Sequence, residues 1–402
     1  MASHTIKVSF HKIVWPIAFA ETIVWAAMFY VFPALLLKWE QDTGWSKAEL
    51  SGAFSLALLV SATFAPIAGR FIDRGYGAYL FTGSAVFGAC MLGLLSQVTE
   101  LWQFYLTWMG LGLAMSGTLY EATFSILTST MGTLARRAII MVTLIAGFAG
   151  TLSFPTTNFF AARVGWQGAV AIWGLIVLFL ATPLIWYGSR SATRRAIHSP
   201  PHVEVRSGKV YGILRKGVFW LLAISFALIA LDHNVLLTHL LPLLNEQDIA
   251  PGVAVLAASL IGPMQVFGRI GMFSVESRIK PIPIFATCFV LMALAALALS
   301  ALSLNPLLLA IFVLFHGAGY GVTSIMRPVV TADFLGRKDF GVISGLLAIP
   351  FLLTAASAST VAALVWETGG YDLVIYVAFL ASIVGLIALL TARRVSNKEK
   401  RN

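Results

Sequence analysis

Charge is what this chain has least of. Asp, Glu, Lys and Arg together make up 11% of its 402 residues, where an ordinary soluble domain has about a quarter, so a water-soluble enzyme is excluded. Cysteine is nearly missing. Cys90 and Cys288 each lie inside an apolar run, where a thiol behaves as a small hydrophobe, which rules out a disulfide framework and a thiolate metal site. No Gly-x-x-x-x-Gly-Lys-Ser/Thr loop is present to cradle a nucleoside triphosphate, and no Gly-x-Ser-x-Gly elbow or Cys–His arrangement to supply a nucleophile. The His-x-x-x-His spacing from His198 to His202 encloses Pro200-Pro201 and cannot lie on one helix face. No metal and no cofactor are therefore expected. Polar/apolar alternation is absent too, and the apolar runs are about twice the length of a membrane β-strand, which excludes an outer-membrane barrel.

What is abundant is apolar sequence, 59% of the chain. Uncharged runs such as Leu50 to Gly69, Ala138 to Ala162, Val164 to Ser189 and Pro281 to Met326 each hold one or more spans of about 20 residues. Gly, Pro and charge clusters divide the chain into twelve predicted helices, over 13–37, 49–71, 79–98, 101–128, 139–162, 167–188, 218–243, 252–275, 282–303, 305–331, 341–365 and 371–391. The first run has no small-residue cleavage site and is read as a first span, not a removable signal. The expected class is an all-α membrane protein.

Orientation follows from the basic residues. With a cytoplasmic N-terminus, the cytoplasmic segments hold 22 of the 27 Lys and Arg residues, and Lys38, Lys47 and Arg163 are outside. Arg269 and Arg327 remain within spans. Both termini are thus expected in the cytoplasm and the protein in the inner or plasma membrane. This bias explains the net charge of +10 without a nucleic-acid partner. The longest connection is basic, contains Pro200-Pro201, and joins the sixth predicted helix to the seventh. The expected organisation is an N-terminal six-helix bundle (1–188), a cytoplasmic linker (189–217) and a C-terminal six-helix bundle with a short tail (218–402). Gly150 with Pro155 in helix 5 recurs as Gly345 with Pro350 in helix 11. Asp73-Arg74 recurs less cleanly as Glu276-Ser277-Arg278. Two repeated halves are the layout of a secondary transporter.

Gly69-Arg70-Phe71-Ile72-Asp73-Arg74 stands where the major facilitator superfamily keeps a Gly-x-x-x-Asp-Arg loop between helices 2 and 3, and the chain resembles that family. The loop then reads Gly75-Tyr76-Gly77-Ala78 instead of ending in a basic tail. Within the family it is most similar to the monocarboxylate transporter and oxalate:formate antiporter branch. Gly44-Trp45-Ser46-Lys47-Ala48-Glu49, Ala53-Phe54-Ser55-Leu56, Gly165-Trp166-Gln167, Gly268-Arg269 and Ala332-Asp333-Phe334-Leu335-Gly336-Arg337 carry that likeness. Three features depart from it: Phe32-Pro33-Ala34 replaces a Phe-Pro-Lys, Gln265 replaces an acid, and 340–366 contains no Lys or Arg. Together they disfavour a dicarboxylate held between two cations. The resemblance implies a twelve-helix carrier of a small organic anion, a monocarboxylate, with Arg269 on the anion and Asp73 and Arg74 at a cytoplasmic gate.

The ionisable residues within predicted spans are Glu21, Glu121, Asp232, Arg269 and Arg327. A charge at the bilayer centre costs at least about 2.5–3.5 kcal/mol and must face a partner or a wet cavity. Four of them lie on helices 1, 4, 7 and 10, which the resemblance places around the central cavity. Helical spacing puts His316, Tyr320, Thr323 and Arg327 on one face, and Thr118, Glu121, Ser125 and Thr128 on another, with Tyr120 beside it. Ser225, Asp232 and His239 share a third face, with His233 turned about 100 degrees away. Glu21, Trp25, Met28 and Phe32 make a largely aromatic wall. Arg269 lies seven residues before Glu276, about 10 Å in depth if Glu276 marks the surface. Its planar fork suits a carboxylate, and the alternative is a fixed ion pair with Asp232 or Glu121.

The expected substrate-binding set is Arg269, Tyr120, His316, Tyr320 and Arg327, with gate structure open for Arg327. Asp232, Glu121 or Glu21 is expected to carry a proton or form an ion pair. The remaining expected partners are the lipid bilayer, a small anionic substrate and protons, with the monomer as the working unit. The rival transport reading is an exporter of amphipathic compounds, or a metal-chelate or siderophore-type carrier. Ser46 with Glu49 predicts a capping box that opens helix 2.

Overall fold

The computed structural model describes residues 2–196, 212, 214–276, 278–336 and 340–399, and all regular structure in them is helical. The chain divides into two compact units, Met1–Pro201 and His202–Asn402. Most of the linker expected at 189–217 lies outside the described residues, as do Ser277 and Arg337 of the motifs above.

The first unit contains α1 (Ala2–Val24), a π-helical stretch Trp25–Tyr30, α2 (Val31–Thr43), α3 (Lys47–Phe71), α4 (Gly77–Leu95), α5 (Leu101–Thr118) and α6 (Tyr120–Met131). It continues with α7 (Ala135–Ala146), α8 (Ala149–Ile176) and α9 (Thr182–Ala196). Helix α5 packs on α3 and α4, while α1 packs on α7 and α9. In the second unit are α10 (Gly217–Glu246), α11 (Pro251–Val275), α12 (Pro281–Ser300), α13 (Leu308–Leu335) and α14 (Phe340–Glu399). Here α10 lies along α14, and α11 and α12 each pack on α13.

Eight stretches among the described residues are long and apolar enough to cross a membrane. Three of them, Lys47–Leu95, Arg137–Ser191 and Ile343–Asn397, run for 49, 55 and 55 residues. At about 1.5 Å per residue, each is more than twice the ~30 Å hydrocarbon thickness. Each is interrupted by a glycine at positive φ: Gly75 (88°), Gly165 (71°) and Gly370 (66°). A residue with a Cβ is strained there, so glycine lets the chain turn without a long loop. Large apolar side chains such as Phe179, Trp102 and Leu256 stand exposed, as on a lipid-facing surface.

Three helices depart from sequence expectation: the fifth, expected unbroken over 139–162, turns at Gly147-Phe148 between α7 and α8, and the first and fourth differ as follows. The first runs on to Thr43, beyond position 37, and is closed by Gly44 at φ 75°. It also widens into the π stretch Trp25–Tyr30, just ahead of Pro33, which has no N–H to give to the helical ladder. The fourth, expected unbroken over 101–128, breaks at Leu119, which is extended (φ −84°, ψ −171°). Ser116 and Thr118 hydroxyls donate to the carbonyls of Leu113 and Ala114, at 2.7 and 2.8 Å, competing with the helical ladder just before the break.

The capping box at the start of α3 forms as expected. Ser46 N–H donates to Glu49 Oε2 at 2.8 Å, and Ser46 Oγ accepts from Glu49 N–H at 3.2 Å. Ser46→Ala is expected to lower stability by about 1 kcal/mol, read as a lower melting temperature of the detergent-purified protein. An unchanged melt would mean that the membrane helix sets its own start.

Candidate functional site

In the first unit the two irregular backbones meet. The π stretch carries Trp25 and Tyr30, and the break at Leu119 starts α6 with Tyr120. Trp25 and Tyr120 ring centroids are 4.7 Å apart, and Tyr120 stacks on Phe124 at 5.0 Å and 10°. Beneath these rings, Glu21 is fully buried. Its Oε1 accepts a hydrogen bond from the Thr123 hydroxyl of α6, and its Oε2 has no hydrogen-bond partner. The Trp25 indole N–H, four residues further on, is also buried and lies within reach of the Glu21 carboxyl. Glu121 is exposed in the first turn of α6 and lies within electrostatic reach of Glu21.

The break at Leu119 corrects the polar stripe expected on helix 4. Thr118 belongs to α5 and is buried against Met28, whereas Glu121 and Thr128 on α6 are exposed. Thr123, outside that stripe, is the residue that reaches Glu21. A stripe drawn at 3.6-residue spacing presumes an unbroken helix, and one extended residue resets its phase. Asp73 and Arg74 are exposed in the turn joining α3 to α4, beside Gly75.

In the second unit, Arg269 on α11 is 6% exposed. Its Nε donates to the carbonyl oxygen of Gly321 on α13 at 2.8 Å. The next-door Tyr320 lies within electrostatic reach of both the Arg269 and Arg327 guanidinium groups. Arg327 places its guanidinium 3.5 Å over the Phe351 ring of α14, a cation–π contact that offsets desolvation. Tyr320 stacks on His233 of α10 at 3.4 Å and 8°, and His233 Nδ1 stands 2.9 Å from His316 Nε2. Of the expected binding residues, His316, Tyr320, Arg269 and Arg327 therefore form one chain of neighbours, extended by His233.

Asp232 is not part of that chain. Its Oδ2 accepts from the Ser382 hydroxyl of α14 and its Oδ1 is buried without a partner, so the expected ion pair with Arg269 is not formed here. His239 bonds the Tyr371 hydroxyl at 3.2 Å and the Ser359 carbonyl oxygen at 3.0 Å, which ties α10 to α14. Sequence spacing had set His233 apart from the faces of Asp232 and His239, yet it is His233 that joins the arginine cluster. Ser382 carried a legible signal, since with Tyr376 it is one of two polar side chains between Leu373 and Leu390. Among the described residues, no group of three His, Cys, Asp or Glu side chains is placed to hold a metal.

A sequence model of the Major Facilitator Superfamily matches residues 17–282, well over half of the chain. A bacterial homolog of the human lysosomal transporter Spinster aligns with it at 13% identity over 96% of both chains. The TM-score is 0.66 for the inward-facing occupied form and 0.68 for the unoccupied one. A mutant of the nucleoside transporter NupG aligns at TM-score 0.72 and 11% identity, over 97% of this chain and 99% of that one. At such identities the likeness is one of fold. No curated protein matches the sequence.

Proposed function

Given that the chain belongs to the Major Facilitator Superfamily, and is thus a multi-pass membrane transporter and not an enzyme, we propose that it moves a small organic anion, a monocarboxylate, by proton-coupled alternating access. The observation that carries this reading is Arg269, a guanidinium anchored through Nε inside an apolar helix bundle, within electrostatic reach of Tyr320. A carboxylate is the group that a guanidinium fork grips best, and the dry setting strengthens the grip. Tyr120, His316, Tyr320 and Arg327 complete the binding set, and Asp73 with Arg74 help to close the cytoplasmic side. Twelve crossings in two six-helix bundles, with both termini in the cytoplasm of an inner or plasma membrane, fit the glycine-broken lengths and the basic loops. The monomer is the working unit.

The test is uptake by the purified protein in sealed vesicles, with and without an inward proton gradient. Radiolabelled acetate, lactate, benzoate and oxalate are compared with neutral amides of the same acids. Gradient-driven uptake of the monocarboxylates alone is the expected result. Saturable uptake of the amides at equal rate would remove the anion reading.

Coupling is assigned to the buried carboxyl groups. Glu21 and Asp232 each have one oxygen held by a hydroxyl and the other without a partner. That setting suits a group which gains and loses a proton during the cycle. Glu21→Gln keeps the shape and an oxygen for Thr123 but cannot release a proton. Gradient-driven accumulation is expected to fall by about a hundredfold in this variant, while exchange of labelled for unlabelled acid across the vesicle persists. Equal loss of both would make Glu21 structural.

A second reading, export of amphipathic compounds, draws on the Trp25–Tyr120–Phe124 aromatic wall. It would be favoured if the vesicles took up lipophilic dyes and no simple acid.

A further inference from the structure

The His233–His316 pair goes unused by the reading above, which gives only His316 a role. The two imidazoles come from α10 and α13, 83 residues apart in sequence, and their Nδ1 and Nε2 atoms are 2.9 Å apart. At that distance one hydrogen lies between them, so the pair holds one shared N–H and each ring keeps one outward nitrogen. The two outer ends differ. His316 has no exposed surface and its Nδ1 is buried without a hydrogen-bond partner, whereas His233 keeps 3% of its surface exposed. His316 is closed on its other side by Phe312, at 5.1 Å, and Tyr320 covers the face of His233 at 3.4 Å. Tyr320, which stacks on His233, lies within electrostatic reach of Arg269 and Arg327, and the adjacent Asp232 is engaged by Ser382. The cluster is thus a short hydrogen-bonded line, buried at both ends and covered slightly less completely at His233.

We propose that His233 and His316 form a proton relay, with His233 passing the co-transported proton between the buried Nδ1 of His316 and its own outer Nε2. A buried N–H without an acceptor is rarer than a bare acceptor, so in the empty protein His316 carries its hydrogen on Nε2, donated to His233 Nδ1. The His316 Nδ1 lone pair is then the vacant acceptor. When a proton binds there, the Nε2 hydrogen crosses to His233 Nδ1 and the His233 Nε2 hydrogen leaves to water. Two N–H bonds form, two break, and both rings return neutral with their tautomers exchanged. Tyr320, stacked on His233, keeps that ring in line, and the reverse sequence carries a proton inward. His233 is a residue for the proton and not for the anion. The inference rests on the proton-coupled reading above and adds the route.

Two measurements decide it. The first is 15N NMR of histidine-labelled full-length protein in lipid nanodiscs, without ligand and then with acetate, assigned with the His233→Gln variant. The expected spectrum of the empty protein shows His316 protonated at Nε2 and bare at Nδ1. A hydrogen found on Nδ1 in the empty protein would overturn the relay. The second is transport by His233→Gln, whose amide can still bond His316 but cannot exchange one hydrogen for another at two ends. Gradient-driven acetate accumulation should fall about a hundredfold while acetate exchange stays at the wild-type rate. Accumulation at the wild-type level, or loss of both activities together, overturns the assignment. If wild-type protein moves no carboxylate at all, the anion reading fails alone, and the tautomer of His316 still decides the relay.

Discussion

Arg269→Ala is expected to lower the uptake of the proposed monocarboxylate substrate by about thirtyfold or more. Truncating one member of a buried, charge-bearing hydrogen-bonded pair costs about 2–5 kcal/mol, and each 1.4 kcal/mol is about tenfold. The loss has two sources. The carboxylate no longer meets a cation within an apolar bundle, and the Gly321 carbonyl loses the Nε–H that it accepts at 2.8 Å. Arg269→Lys separates them, since it retains the charge but not the planar fork or the Nε–H. It should bind the acid more weakly than wild type yet better than alanine. Binding is read by protection from thermal unfolding over a concentration series, alongside uptake. A correctly inserted Arg269→Ala protein that transports at the wild-type rate would remove the centre of the proposed mechanism.

Gly321→Val is expected to cost about 3 kcal/mol or more and to abolish uptake, because no side chain fits where α11 and α13 cross. A Cβ on Gly321 would collide with the backbone of Gln265, and one on Gly268 with the backbone of Ala318. The two helices therefore touch main chain to main chain over the turn just before Arg269, the close approach that small residues permit in membranes. Backbone cannot swing aside as a side chain does, so valine must push the helices apart and carry the Gly321 carbonyl away from Arg269. Gly271→Val on the same α11 is the matched control, because a Cβ there meets nothing within 4 Å. The comparison is made by melting temperature and by monodispersity in detergent. Equal melting of the two variants would show that the crossing tolerates a wider gap than its geometry implies.

Much of this was legible in the sequence, and the reason is the range of the forces involved. Apolar run length decides whether a segment belongs in lipid, and the Ser46–Glu49 capping box depends on atoms three residues apart. Gly75, Gly165 and Gly370 mark turns because φ is a property of one residue. The buried charges Glu21, Asp232 and Arg269 stood out because an ionisable group is costly in a span wherever it points.

Which partner each of them takes was decided only by tertiary structure. Thr123 lies 102 residues from Glu21, Ser382 lies 150 from Asp232, and His316 lies 83 from His233. Helical periodicity assigns a face to each residue but not the neighbouring helix, its depth or its rotation, which follow from packing of the whole unit. The extended residue at Leu119 and the π turn at Trp25–Tyr30 also shift the phase of two helices where their side chains matter most. Composition and local spacing therefore determined that this is a helical membrane protein and which side chains are out of place in lipid. Interhelical packing, which sums many weak contacts between residues far apart in sequence, decided that Arg269 bonds the Gly321 carbonyl and that Asp232 bonds Ser382.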